Sequence, residues 1–270
     1  MIPERIAVFF RTYAVRPHPG GPRLRLGVVW FGALLLVLAL GSTAVTVLFT
    51  VVASIGALQV AGAWRLRKVA VNQELAAMMA ALLPLAAWFN VRAVAVVMLL
   101  MVGAVLVLGT QNRPTKNSFA VEHLKAGFPV ASATLRSGLF IGLGAAAVVQ
   151  VHRIDAMSLL FLLSVVCVYD SGHYLIGAGY RNRLVGPAAG LVGTVVVIVA
   201  MTAINPPPLT NDGDVRLLGL LMALSCPLGQ LLGSWTMPSA RSKAPALRRL
   251  DSWMVAAPVF FVGLRLIGQS

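Results

Sequence analysis

Apolar stretches of about 15–22 residues recur along the whole chain, broken by short charged or Pro/Gly-bearing loops. Each approaches the roughly 20 residues an α-helix needs to cross ~30 Å of hydrocarbon. Lipid offers the backbone no hydrogen-bond partner, so a span must satisfy its own amides. The runs are too long and too continuous for barrel strands, which alternate lumen and lipid faces. The pattern therefore predicts an all-α fold, a polytopic transmembrane helical bundle of about nine spans: 27–42, 44–63, 73–90, 92–109, 132–150, 155–170, 185–204, 215–235 and 252–268. Composition agrees. Hydrophobic residues make up 59% of the 270, charged residues 11%, and the mean hydropathy is +0.86. That inventory cannot cover a soluble domain of this size.

Basic residues set the expected orientation. One series of loops holds Arg5, Arg11, Arg16, Arg23 and Arg25; Arg65, Arg67 and Lys68; Arg113, Lys116 and Lys125; Arg181 and Arg183; and Arg241, Lys243, Arg248 and Arg249. The alternate loops hold Arg92, Arg153 and Arg216, so the bias is 17 against 3. Lys/Arg excess marks the cytoplasmic side, which predicts a cytoplasmic N-terminus and an outside C-terminus. An error of one span would scramble the alternation. The bias thus supports the span count too.

The same bias accounts for most of the net charge of +14, together with attraction to anionic headgroups. No soluble segment is large enough for a basic surface with stacking aromatics, so nucleic acid is not an expected partner. Cys167 and Cys226 both fall inside apolar spans and read as small buried side chains rather than a disulfide. Residues 1–26 form a basic cytoplasmic segment, too polar for a cleavable signal. Residues 27–109 read as an N-terminal transmembrane bundle, 110–131 as a cytoplasmic loop and 132–270 as a C-terminal bundle. No acid, lysine or histidine lies mid-span to form a proton relay, which disfavours a transporter. Arg136, near the start of the fifth span, either snorkels to the interface or meets a lipid phosphate.

Three clusters are brought to the cytoplasmic side by this topology. VYDSGHYLIG (168–177) closes the sixth span and leads into a Gly-rich loop; CPLGQLLGS (226–234) closes the eighth; ALRRLDSWMVAAPVFF (246–261) opens the ninth. Asp170 is one of only eight carboxylates. Beside Ser171 and Gly172 it suits a phosphate or metal site, and equally an Asx turn. Asp251 suits a ligand, and equally an N-cap paired with Arg248 and Arg249. Gly186/Gly190 and Gly229/Gly233 are four-residue pairs that permit close helix contact.

The C-terminal part resembles the phosphatidate cytidylyltransferases, or CDP-diacylglycerol synthases, which carry D-[ST]-G-x-Y-L-x-G, then G-D-L-x-E-S, then D-R-x-D-S before an apolar span. DSGHYLIG (170–177), GQLLGS (229–234) and RRLDSWMVAAPVFF (248–261) stand in that order. The departures fall on the chemistry: Gln230 replaces an Asp, Gly233 a Glu, and Arg248 an Asp. The family's S-P-x-K-T-x-E-G has lost its lysine and glutamate in GPAAGLVG (186–193). The resemblance implies transfer of a cytidylyl group from CTP to phosphatidate in phospholipid synthesis. It implies Asp170 and Asp251 as catalytic carboxylates holding Mg²⁺. It further implies Ser171, Gly172, His173, Arg181, Arg183, Gln230, Ser234, Arg248 and Arg249 as substrate contacts. The expected partners are CTP and phosphatidate or another anionic phospholipid, at the cytoplasmic face of the cell membrane, with a homodimer open to it. The lost motif residues keep a second expectation in play: a non-catalytic relative that binds anionic lipid or a membrane partner.

Overall fold

A computed structural model of the chain describes residues 23–111, 120–178, 180, 182, 184–240 and 242–268. Over these the fold is all-α. The helices are α1 (Arg23–Leu40), α2 (Ser42–Leu66), α3 (Gln73–Phe89), α4 (Val91–Gln111), α5 (Ala120–Ile154), α6 (Ala156–Gly177), α7 (Val185–Ile204), α8 (Asp212–Thr236), the single turn α9 (Leu247–Leu250) and α10 (Trp253–Ile267). Every apolar run read from the sequence coincides with one long helix. Among the described residues, seven helical stretches are long and apolar enough to cross a membrane, α9 and α10 counting as one from Leu247 to Ile267. Gly27–Leu40 and Gln73–Phe89 are shorter apolar helices.

Burial separates the lipid-facing helices from the central one. Leu99 on α4 is 68% exposed and Val196 on α7 is 72% exposed, as hydrocarbon contact requires. α5 is the most enclosed, packing against α2, α3 and α4 on one side and against α10 on another. It also begins earlier than the sequence suggested. Residues 120–131, expected in a loop, form its first turns, while 112–119 lie outside the described residues.

The two ends of the bundle are built differently. At one end the breaks between helices are single residues: Gly41 (φ +91°), Asn90 and Asp155. The last two hold their turns as N-caps. Asn90 Oδ1 accepts from the Ala93 amide at 2.8 Å, and Asp155 Oδ1 from Met157 at 2.7 Å and Ser158 at 3.2 Å. Two of the loop arginines on this sparse side have local employment. Arg153 donates to the carbonyls of Ala87, Trp88 and Phe89 at the end of α3, where a cation meets the negative pole of the helix. Arg216 pairs with Asp212 at 3.3 Å. At the opposite end the connections are longer. The segment after α8 is tied back to α2 by the Ala246 amide, which donates to Gln59 Oε1 at 2.9 Å.

Candidate functional site

The sixth helix does not end at Asp170. It continues through DSGHYLIG to Gly177, so Asp170 is neither an Asx turn nor a helix terminus. Packing overrides the turn chemistry of Asp-Ser-Gly. α6 and α7 approach so closely that a Cβ on Gly190 would stand 2.7 Å from the Tyr169 carbonyl oxygen, and one on Gly172 3.0 Å from that of Ala189. The glycines let the backbones meet, and the contact carries the helix onward.

Asp251 departs from expectation in the same direction. Its φ/ψ of −62°/−44° and those of Ser252, −62°/−34°, are helical. α9 and α10 thus form a nearly continuous run from Leu247 to Ile267, and Asp251 is not an N-cap. The run lies tight against α8 because Gly229 and Gly233 leave room for it. A Cβ on Gly233 would sit 2.6 Å from the Asp251 Cβ, and one on Gly229 would collide with the Asp251 carbonyl.

These two close approaches assemble the site. Ser252 Oγ donates to Asp170 Oδ1 at 2.6 Å, and Gln230 Nε2 donates to the same oxygen at 3.3 Å. Tyr169 OH stands 3.5 Å from Gln230 Oε1. Both donors converge on Oδ1, which leaves Oδ2 outside this pair. Arg248 donates to Ser234 Oγ at 3.0 Å, to Asp251 Oδ2 at 3.2 Å and to the Ala240 carbonyl at 3.1 Å. Asp251 is 4% exposed; Asp170 is half-buried. One arginine thus lies against one of two neighbouring carboxylates, and an interhelical amide and hydroxyl orient the other.

A sequence profile of the cytidylyltransferase family matches residues 22–237. The chain belongs to the cytidylyltransferase family. Comparison with curated proteins gives no match. The family match includes Asp170, Gln230 and Ser234 and stops short of Arg248, Asp251 and Ser252. The fold brings these last three to the family's motif residues.

Of the residues expected at a cytidylyltransferase site, Asp170, Asp251, Gln230, Ser234 and Arg248 come together. His173 borders that cluster through Tyr169. It is 8% exposed and stacks on Tyr169 at 6.1 Å, and α7 covers it at Gly186. Ser171 is exposed, and Gly172 is spent on the α7 contact. Arg249 is half-buried near Gly27 of α1 and lies within electrostatic reach of both Asp170 and Asp251. Arg181 and Arg183 lie outside the described residues. Sequence reasoning missed Ser252 and Tyr169 as partners in the cluster. The signal for Ser252 was its place directly after Asp251 in the matched D-S pair; Tyr169 had none beyond adjacency to Asp170.

The donor set is spare. Among the described residues no group of three or more His, Cys, Asp or Glu could hold a metal. Two carboxylates nonetheless fit magnesium. That ion keeps several waters and is commonly bound through one or two carboxylates plus substrate phosphates. Asp170, with Oδ2 outside the Ser252/Gln230 pair, is the better-placed donor; Asp251 already faces Arg248.

Proposed function

We propose that this membrane protein of the cytidylyltransferase family transfers a cytidylyl group from CTP to phosphatidate, yielding CDP-diacylglycerol for phospholipid synthesis. The observation that carries this reading is the convergence on Asp170 of Ser252 and Gln230, with Asp251 beside them. These positions meet there from α6, α8 and the α9–α10 junction. In the reaction a phosphatidate oxygen attacks the α-phosphorus of CTP. A new P–O bond forms, the bond to the bridging oxygen breaks, and pyrophosphate leaves with its electrons. Two anions must be pressed together for this. Asp170 and Asp251 would hold magnesium, which when bound screens that repulsion and stabilises the leaving group. Arg248 would orient Asp251 through its 3.2 Å contact, and Ser252 would fix the rotamer of Asp170. The basic excess at this end of the bundle supports a cytoplasmic site.

A second reading rests on Gln230. Where the family's acid would add a carboxylate, this chain places an amide that donates to Asp170. That substitution suits a relative that binds anionic lipid without transferring anything. The deciding assay is CTP-dependent formation of CDP-diacylglycerol by purified protein with Mg²⁺. The transferase reading expects turnover that Asp170→Asn and Asp251→Asn each reduce about 100-fold or more, the order expected on losing a group that stabilises transition-state charge. Folded protein that binds phosphatidate without turnover would instead establish the lipid-binding reading.

A further inference from the structure

Arg136 lies eight residues past Phe128 inside the apolar helix Phe128–Ile154, about 12 Å along the axis. A cation at such a position is costly unless something holds it. Two indoles do. The guanidinium carbon is 4.1 Å from the ring centroid of Trp235 on α8 and 5.9 Å from that of Trp64 on α2. The rings are themselves fixed. Trp64 Nε1 donates to the Thr236 carbonyl at 2.8 Å, and Phe140 meets Trp235 edge-on at 6.0 Å. Three helices therefore set where this guanidinium stands.

The ring contacts engage its π surface and leave its donors unspent. Among the described residues those rings are the only partners of Arg136. Other arginines use their N–H groups: Arg65 on Gln73, Arg153 on the α3 carbonyls, Arg216 on Asp212 and Arg248 on Ser234 and Asp251. Arg136 is half-buried, with no carboxylate paired to it among the described residues. A planar cation pre-positioned by stacking, with five donors to give, matches an oxyanion that can accept two of them at once.

We propose that Arg136, held between Trp64 and Trp235, binds a phosphate oxyanion at a site separate from the Asp170 cluster. Trp235 directly follows Ser234 on α8, so it projects about 100° further round that helix. Arg136 therefore lies at the same end of the bundle, on another side of α8. The phosphate belongs to a lipid headgroup or to a nucleotide, and the two are separable by experiment. The inference does not rest on the transferase reading, since it uses none of that site's residues.

The test is titration of the detergent-purified full chain with dioctanoyl phosphatidate and, separately, with CTP. Tryptophan emission is the readout because two indoles border the site, and Trp235→Phe assigns the signal. The expected result is a saturable change whose midpoint rises about tenfold or more in Arg136→Gln, the loss of one charged hydrogen-bonding partner. Arg136→Lys, which keeps the charge and loses the fork, should be intermediate. A response to phosphatidate assigns the site to lipid, and a response to CTP alone assigns it to nucleotide. Equal midpoints in wild type and variant for both probes, in folded protein, would overturn the proposal and leave Arg136 a rivet between helices. If Arg136→Gln fails to fold, Arg136→Lys carries the same test. Arg136-dependent binding without any cytidylyl transfer would sink the transferase reading alone.

Discussion

Asp170 Oδ1 accepts from a hydroxyl at the α9–α10 junction and an amide on α8, and the two donors differ in what their loss should do. Ser252→Ala removes the shorter bond without adding a charge. Transfer should fall about tenfold with little change in thermal midpoint, as for one charge-assisted hydrogen bond, checked by parallel rate and unfolding measurements. Gln230→Asp does the opposite: it deletes a donor and restores the acid of the family pattern beside Asp170. Binding of Mn²⁺ as a magnesium surrogate, followed by its EPR signal, should tighten about tenfold, because ligand charge count raises affinity for hard cations. An unchanged or weakened signal would mean that the added carboxylate faces away from Asp170.

At the scale of elements, the site exists because α6 meets α7, and α8 meets α9–α10, across glycine. Gly190→Val would drive a branched side chain into the Tyr169 carbonyl, 2.7 Å from where its Cβ must go. Overpacking of this kind costs about 1–3 kcal/mol or more. The variant should show a lower thermal midpoint in detergent and, because Tyr169 precedes Asp170, lower activity. Gly193→Ala, one turn further along α7 and facing a movable Val168 methyl at 3.0 Å, should be far milder. Apolar runs of bilayer length announced each long helix in the sequence, and the spacing of Gly186/Gly190 and Gly229/Gly233 announced the tight faces. The end of α6 was not legible. Asp-Ser-Gly is turn chemistry in isolation, and only the α7 surface two turns beyond Asp170 makes it helical. Nor could Ser252 be seen reaching Asp170, because that contact depends on α9–α10 continuing in register past Asp251.

For the whole molecule, the uneven basic residues propose an orientation that labelling can check. In a background lacking Cys167 and Cys226, Thr210→Cys in the connection after α7 should react with a membrane-impermeant maleimide on intact cells. Ala70→Cys, between α2 and α3, should react only after permeabilisation; the reverse pattern would invert the proposed topology. The charge count itself was legible, but the local work of its exceptions was not. Arg153 closing α3 and Arg216 pairing with Asp212 appear only once helices are neighbours. The hinges Gly41, Asn90 and Asp155 bear on how such a protein is made. On the side proposed to face outward, three of the four joins offer one residue each, and only 205–211 is longer. Between successive helices, the insertion machinery would have almost no polar chain to carry across the bilayer. The helices joined by those hinges can enter as ready-made pairs, and among these joins nearly all of the translocation work falls on one proline-bearing heptapeptide.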